Sequence, residues 1–333
     1  MSPKSDYLNF LKLNEKLFKD NKKFVVVTFY KFFDIDDILQ FQTLLRSYFL
    51  KTSIKGTILL ANEGINGTIS GKKSEISNAL KSIWELNNLS DLKPKYSFAD
   101  KNPFFRMKIR LKKEIVTLGV DNISPNKKVG NYVKPEDWNS FIADDSLLLI
   151  DTRNDYEVSI GSFEKAINPN IKNFREFPSW VSKNLLKKDP EIKNKKIAMF
   201  CTGGIRCEKS TSYLKSLGFT DVYHLEGGIL KYLENVPEKE SKWNGSCFVF
   251  DYRVSVEHNL KLGSYDMCYA CRMPISEEDK KNNYFVQGES CHYCFNISNE
   301  KQKKRFKERQ KQIELSKRKG KLHIGKTNVR NKL

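Results

Sequence analysis

Long apolar runs are missing from this chain. Phe24 to Tyr30 is among the longest and is only strand-sized, so no membrane span is expected. The first twenty residues lack an apolar stretch followed by a small-residue cleavage site, so no secretory signal is read and a cytoplasmic location is expected. Histidine is scarce: His224, His258, His292 and His323 are scattered, which argues against a facial-triad iron site. Neither HExxH nor a Rossmann glycine fingerprint occurs, so no flavin, haem or nucleotide cofactor is expected. Acidic residues are in short supply, 40 Asp and Glu against 59 Lys and Arg, and the net charge is +19.

What is present describes a folded protein of two or three domains. The 333 residues are 39% hydrophobic and 30% charged, the balance of a globular chain. Seven cysteines, an odd number, include one loop pair and two CxxC pairs, which favours thiol and metal chemistry over a disulfide framework. The charge is uneven. From Glu300 to Leu333 there are fourteen Lys or Arg and three Glu, a net +11. A solvated tail is one reading; an RNA partner is preferred, because a concentrated basic segment releases counterions from a phosphate backbone.

The most telling segment is Cys201-Thr202-Gly203-Gly204-Ile205-Arg206-Cys207. It follows the strand candidate Lys196 to Phe200 and opens a helix candidate from about Glu208 to Leu217. A cysteine there meets backbone N–H groups and the positive end of a helix dipole, and Arg206 adds a cation. Thr202, Gly203, Gly204, Ile205 and Arg206 then form an anion cradle that lowers the thiol's pKa, and Cys201 is the reactive residue. Cys207 is read either as a thiol that resolves an oxidised Cys201 or as packing under the loop. Arg206 either shapes the loop or meets a phosphate, and Asp151 with Arg153 is read as an ion pair bracing it. Glu226 to Gly228 sets a helix start.

Upstream, a strand at Phe24–Tyr30, a helix from about Asp36 to Leu50, strands at Lys55–Ala61 and Gly67–Ser70, a helix capped by Ser74 and a strand at Lys95–Phe98 make the order βαββαβ. That is a ferredoxin-like sandwich. Ile38, Leu39, Phe41, Leu44 and Leu45 are expected on the buried face of the first helix. Phe104 to Leu118 alternates basic and apolar residues, and Arg106, Lys108 and Arg110 are candidates for RNA contact on one cationic strand face; a solvated face is the alternative. From about Pro135 strands alternate with helices, which implies a parallel sheet with Cys201 at the carboxyl end of one strand. Cys268, Cys271, Cys291 and Cys294 form CxxC–x19–CxxC, the spacing of a closed four-thiolate zinc site. Residues 298 to 319 read as a basic helix whose apolar positions Phe306, Ile313 and Leu315 are too sparse to fix it against a core.

Ile150-Asp151-Thr152-Arg153, Gly161 with Ala166-Ile167-Asn168, the CTGGIR loop and Leu225-Glu226-Gly227-Gly228 together resemble a rhodanese domain. More closely, FCTGGIRCEKSTSYLKSLGF, YHLEGGILKYLE, ANEGINGTISG, FDYRVSVE and the CxxC segments are similar to the rhodanese-type tRNA uridine-34 hydroxylases, over most of the chain to about Asn296. The resemblance implies an α/β protein: a ferredoxin-like (acylphosphatase-like) domain, a rhodanese-like parallel-sheet domain and a small cysteine-rich extension, which the basic tail read from composition then follows. The expected divisions are 1–21, a helical segment; 22–122, the RNA-binding domain; 123–142, a linker; 143–238, the rhodanese domain; 239–297, the extension; and 298–333, the tail. It further implies oxygen-dependent conversion of the wobble uridine of tRNA to 5-hydroxyuridine. Molecular oxygen would be co-substrate, the tRNA anticodon region the partner, and Cys201 the activity-bearing residue. No membrane and no obligate protein partner is expected. Thiolate attack at C6 of the pyrimidine, and oxygen carried on Cys201 itself, both remain open as chemistry. Two rivals stand beside this reading: a sulfurtransferase carrying a persulfide on Cys201, and a non-catalytic RNA-binding protein. A cysteine phosphatase fits less well, since four residues rather than five separate Cys201 from Arg206.

Overall fold

The computed structural model describes residues 2–13, 15, 23–86, 89–187 and 190–320. Expectations placed on residues 16–21, on 321–333 and on His323 lie outside the described residues.

The first domain grows from β1 (Phe24–Phe32), whose Val25, Val27 and Phe29 are fully buried. β2 (Lys55–Ala61) and β3 (Gly64–Gly71) pair antiparallel as a hairpin turning at Asn62-Glu63, tighter than the five-residue connection the sequence suggests. β4 (Lys95–Ala99) lies antiparallel to β1, and β5 (Met107–Leu111) adds parallel to β2, giving the order β4-β1-β3-β2-β5. Helices Ile38–Phe49 and Lys73–Trp84 cover one face with Leu45, Phe49, Ile76, Leu80 and Ile83. The helix Pro3–Leu13 adds Tyr7 and Leu11 to the same core. This is the ferredoxin-like βαββαβ order with a fifth edge strand.

Two local expectations shift. Leu39 and Leu44 are exposed, because the helix Ile38–Phe49 turns Gln42, Leu45 and Phe49 inward instead. Ser74 does not cap its helix: β3 ends at Gly71 and Lys72, still extended at ψ 153, is the last residue outside the helix, so Ser74 falls in the first turn.

The second domain is a parallel sheet in the order β6-β10-β9-β7, with β6 Asn131–Val133, β7 Leu148–Asp151, β9 Ile197–Phe200 and β10 Val222–Leu225. The segment 123–142, expected as a linker, therefore holds an edge strand and the helix Pro135–Phe141, whose Trp138 is fully buried. Leu118 already packs into this second core. At the other end β11 (Trp243–Gly245) pairs with β8 (Gly161–Phe163), and Trp243 and Cys247 enter the core, so the first residues past 238 complete the sheet domain.

The cysteine-rich part carries a short hairpin, Asp266–Met267 with Pro274–Ile275. Helix Glu300–Arg318 starts at an Asn299/Gln302 capping box. It is anchored, contrary to the sparse-apolar expectation. Phe306 is buried, and Arg309 donates to the carbonyls of Tyr269 and, at 3.3 Å, Gly288. One apolar anchor and one arginine with two hydrogen bonds dock a helix that periodicity alone leaves loose. Among the described residues no helix is long and apolar enough to cross a membrane.

Candidate active site

Cys201 lies where β9 ends and the helix Ile205–Ser216 begins, in the middle of the parallel sheet. Gly204, at φ +102, makes the turn into that helix and its N–H donates to Cys201 Sγ at 3.1 Å. The loop is held from below by a second helix start. Ile229 and Leu230 of the helix Gly228–Asn235 donate their N–H groups to the carbonyls of Cys201 and Thr202 at 2.9 and 3.0 Å. Gly228 has no room for a side chain: a Cβ there would sit 2.5 Å from Cys201 O and 2.7 Å from Gly204 N. Gly228 is thus the close-packed floor of the cysteine loop, more than the helix start the sequence suggests.

The sulfur is fully buried and yet favours the anion. Burial pushes its pKa up, but the Cys207 thiol, the Arg206 guanidinium and the N–H groups of Cys207 and Gly204 outweigh that and bring it down to about 5. Cys207 is displaced the other way, well above an ordinary thiol, by burial and by its hydrogen bond to Cys201. One thiolate beside one thiol donor is the state the loop selects.

Arg206 does not point free into a phosphate site. Its Nη1 and Nη2 donate to Glu157 Oε2 and Oε1 at 2.6 and 2.7 Å, and Thr202 Oγ1 donates to the same carboxylate at 3.2 Å. Burial would raise the Glu157 pKa, but Arg206 holds it below the usual carboxylate value. Glu157 in turn closes an Asn154/Glu157 capping box at the start of the helix Asp155–Val158. Asp151 and Arg153, both fully buried, pair at 2.6 Å, and Arg153 also donates to the carbonyls of Glu157 and Gly161. The expected brace exists, and runs Asp151–Arg153–Glu157–Arg206 into the loop.

The first domain roofs the site. Tyr30 on β1 donates its hydroxyl to Glu208 Oε1 at 2.8 Å, and Lys95 on β4 donates to Gly203 O at 2.9 Å. Glu208 also accepts from Tyr132, and burial raises its pKa. Lys209, almost wholly buried, joins the domains by pairing with Glu63 and, at 2.9 Å, Glu114. A cleft with about 70 Å³ of room for water-sized molecules opens beside the loop, lined among others by Thr28, Lys95, Thr202, Leu230 and Phe250. Glu157, Tyr30, Lys95, Glu208 and Tyr132 have no site role that the sequence assigns. Only Glu157 carried a local signal, the Asn-x-x-Glu capping pattern.

The candidate RNA contacts cluster across a junction. Arg106 and Arg110 are exposed, and Lys108 between them is half-buried. Burial depresses the Lys108 pKa, with Arg106, Arg110 and Arg272 adding repulsion; Arg272 belongs to the cysteine-rich part. Arg309 is depressed by burial and by the neighbouring Arg272 and Arg305, so the basic band continues onto the last helix. Phe105, Tyr252 and Tyr269 run beside it as successive ring contacts at 4.5 and 6.4 Å.

The four CxxC cysteines converge. All their sulfurs lie within 4.8 Å of one another, with Cys268–Cys294, Cys271–Cys291 and Cys291–Cys294 at 4.0, 3.6 and 3.9 Å. A tetrahedron with metal–sulfur bonds of ~2.3 Å has edges of ~3.8 Å, so the cluster fits a structural metal such as zinc.

Fold and loop together define a rhodanese-like domain with Cys201 in its loop, and residues 134–235 match the rhodanese-like domain family. Residues 24–115 match the UPF0176 acylphosphatase-like domain, and the two in this order are the architecture of the UPF0176 family. The chain is similar to a rhodanese-related protein from Thermoplasma volcanium, at 24% identity over 32% of this chain and 93% of that one, TM-score 0.26. It is similar to a rhodanese-like domain protein from Staphylococcus aureus at 23% identity over 31% and 90%, TM-score 0.25. An uncharacterized protein from Saccharomyces cerevisiae matches at 20% identity over 33% and 95%, TM-score 0.28.

Proposed function

We propose that the protein hydroxylates the wobble uridine of tRNA at C5, with Cys201 as the reactive thiolate and molecular oxygen as co-substrate. The observation that carries this reading is the junction itself: a thiolate-favouring loop roofed by the acylphosphatase-like domain, beside a cleft that this domain and the sheet domain line together. A small-molecule sulfurtransferase has no need of that roof. Thiolate addition at C6 would make C5 electron-rich enough to meet an oxidant. Placing one oxygen atom of O2 on uridine leaves the other to become water, so a two-electron donor is part of the reaction.

The test is mass spectrometry of nucleosides from unmodified tRNA incubated in air with protein and a thiol reductant. Gain of one oxygen on uridine, lost without O2, supports hydroxylation. Gain of sulfur only with a sulfur donor would replace it by sulfurtransfer, the second reading favoured by the N–H cradle around Cys201, which suits a persulfide equally. No change in either would leave RNA binding alone.

Docking of tRNA is assigned to the band of Arg106, Lys108, Arg110 and Arg272. Arg106→Ala/Arg110→Ala should weaken tRNA binding and flatten the plot of log affinity against log salt by roughly 1–2 units of slope. An unchanged slope would remove the band from the interface. For the cysteine cluster, purified protein should carry one zinc per chain by elemental analysis. Cys291→Ser should lose it and release the last helix, read as lost helicity; metal-free protein with the helix intact would refute the zinc assignment.

A further inference from the structure

We propose that Lys95, contributed by the first domain, is the positioning residue that sets the Cys201 thiolate by holding the Gly203–Gly204 peptide. Its Nζ donates to Gly203 O at 2.9 Å. The N–H of that same peptide unit is Gly204's, and it donates to Cys201 Sγ at 3.1 Å. In a planar trans peptide the C=O and N–H point in opposite directions. An ammonium group drawing the oxygen outward therefore aims the hydrogen inward at sulfur, and polarises the amide so that the second hydrogen bond strengthens with the first.

This peptide needs holding. It joins two glycines: Gly203 has open space around its Cα and Gly204 sits at φ +102. Such a pair rotates more freely than any other dipeptide. A flip would turn the carbonyl dipole onto the thiolate in place of the N–H. Lys95 is itself fixed, with Nζ 5.1 Å from the Tyr30 ring centroid and the Tyr30 hydroxyl tied to Glu208. Glu208, Cys201 and Glu234 favour its charge, Lys231 opposes it, and burial brings its pKa down to about 8, so it is mostly cationic at neutral pH. The inference stands apart from the hydroxylase reading, because any chemistry of Cys201 would depend on it. It makes the acylphosphatase-like domain part of the active site.

The test titrates Cys201 in the full chain by thiolate ultraviolet absorbance, taken as the difference from a Cys201→Ser partner in each background. Lys95→Met should raise the Cys201 midpoint by about one pH unit, a tenfold loss of thiolate at a given acidic pH. Lys95→Arg, which keeps a cation with N–H donors, should bring it back. Lys209→Met removes a different buried cation of the junction, the partner of Glu63 and Glu114, without touching the Gly203–Gly204 peptide, and should leave the midpoint in place. An unmoved midpoint in Lys95→Met overturns the proposal. So does an equal shift in Lys209→Met, which would show that loss of any junction cation is being read.

Discussion

Cys201→Ser is expected to abolish product formation, by ~10³-fold or more, while melting within a few degrees of the parent protein. The loop is built around an anion: the Gly204 N–H, the Cys207 thiol and Arg206 all face the sulfur and hold its pKa near 5. A serine hydroxyl of similar shape can occupy the site but stays protonated there, so the geometry survives and the nucleophile does not. Nucleoside mass spectrometry reads the loss. Retention of more than a few per cent of the parent turnover would sink the thiolate assignment. The pH dependence has a definite sign. Alkylation of Cys201 should be flat through neutrality and fall by half near pH 5, where the thiolate takes up its proton. Because the folded pKa lies below that of an unfolded thiol, about 8.5, the associated stability is fully present above that value. It is lost as pH falls through about 5.

How much of this was legible in the sequence depended on distance along the chain. The cysteine loop was readable because strand, glycines, arginine and helix lie within some twenty consecutive residues. The βαββαβ order was readable because buried strands such as β1 declare themselves by composition. Tyr30 and Lys95 were not, since they sit more than a hundred positions from Cys201 and look like ordinary strand residues. Only the docking of one domain on the other gives them a role. The expected linker failed for another reason: a three-residue parallel edge strand, Asn131–Val133, is too short to show any period. Arg206 was ambiguous between loop and phosphate because its partner, Glu157, comes from a different element.

Glu157→Ala should cost about 3–5 kcal/mol of stability, measured as a fall in the urea midpoint, because it strands the Arg206 guanidinium in the interior. Glu157 is fully buried and answers both terminal nitrogens of Arg206, Thr202 Oγ1 and the Asn154 N–H. No other carboxylate among the described residues is paired with Arg206. The double variant Glu157→Ala/Arg206→Met removes both charges and should recover part of the loss. A single variant within ~0.5 kcal/mol of the parent, or a double variant worse than the single, would show that the pair is not what holds the loop. The two roles of Arg206 then separate. Freed from Glu157, its charge acts on Cys201 undiluted, so Glu157→Ala should be less stable yet hold a thiolate at least as acidic as the parent's. The double variant should be more stable than the single but lose part of the thiolate, since one of the groups lowering the Cys201 pKa is gone. Stability and sulfur ionisation would move in opposite directions across the same two substitutions, which a loop merely damaged by mutation would not do.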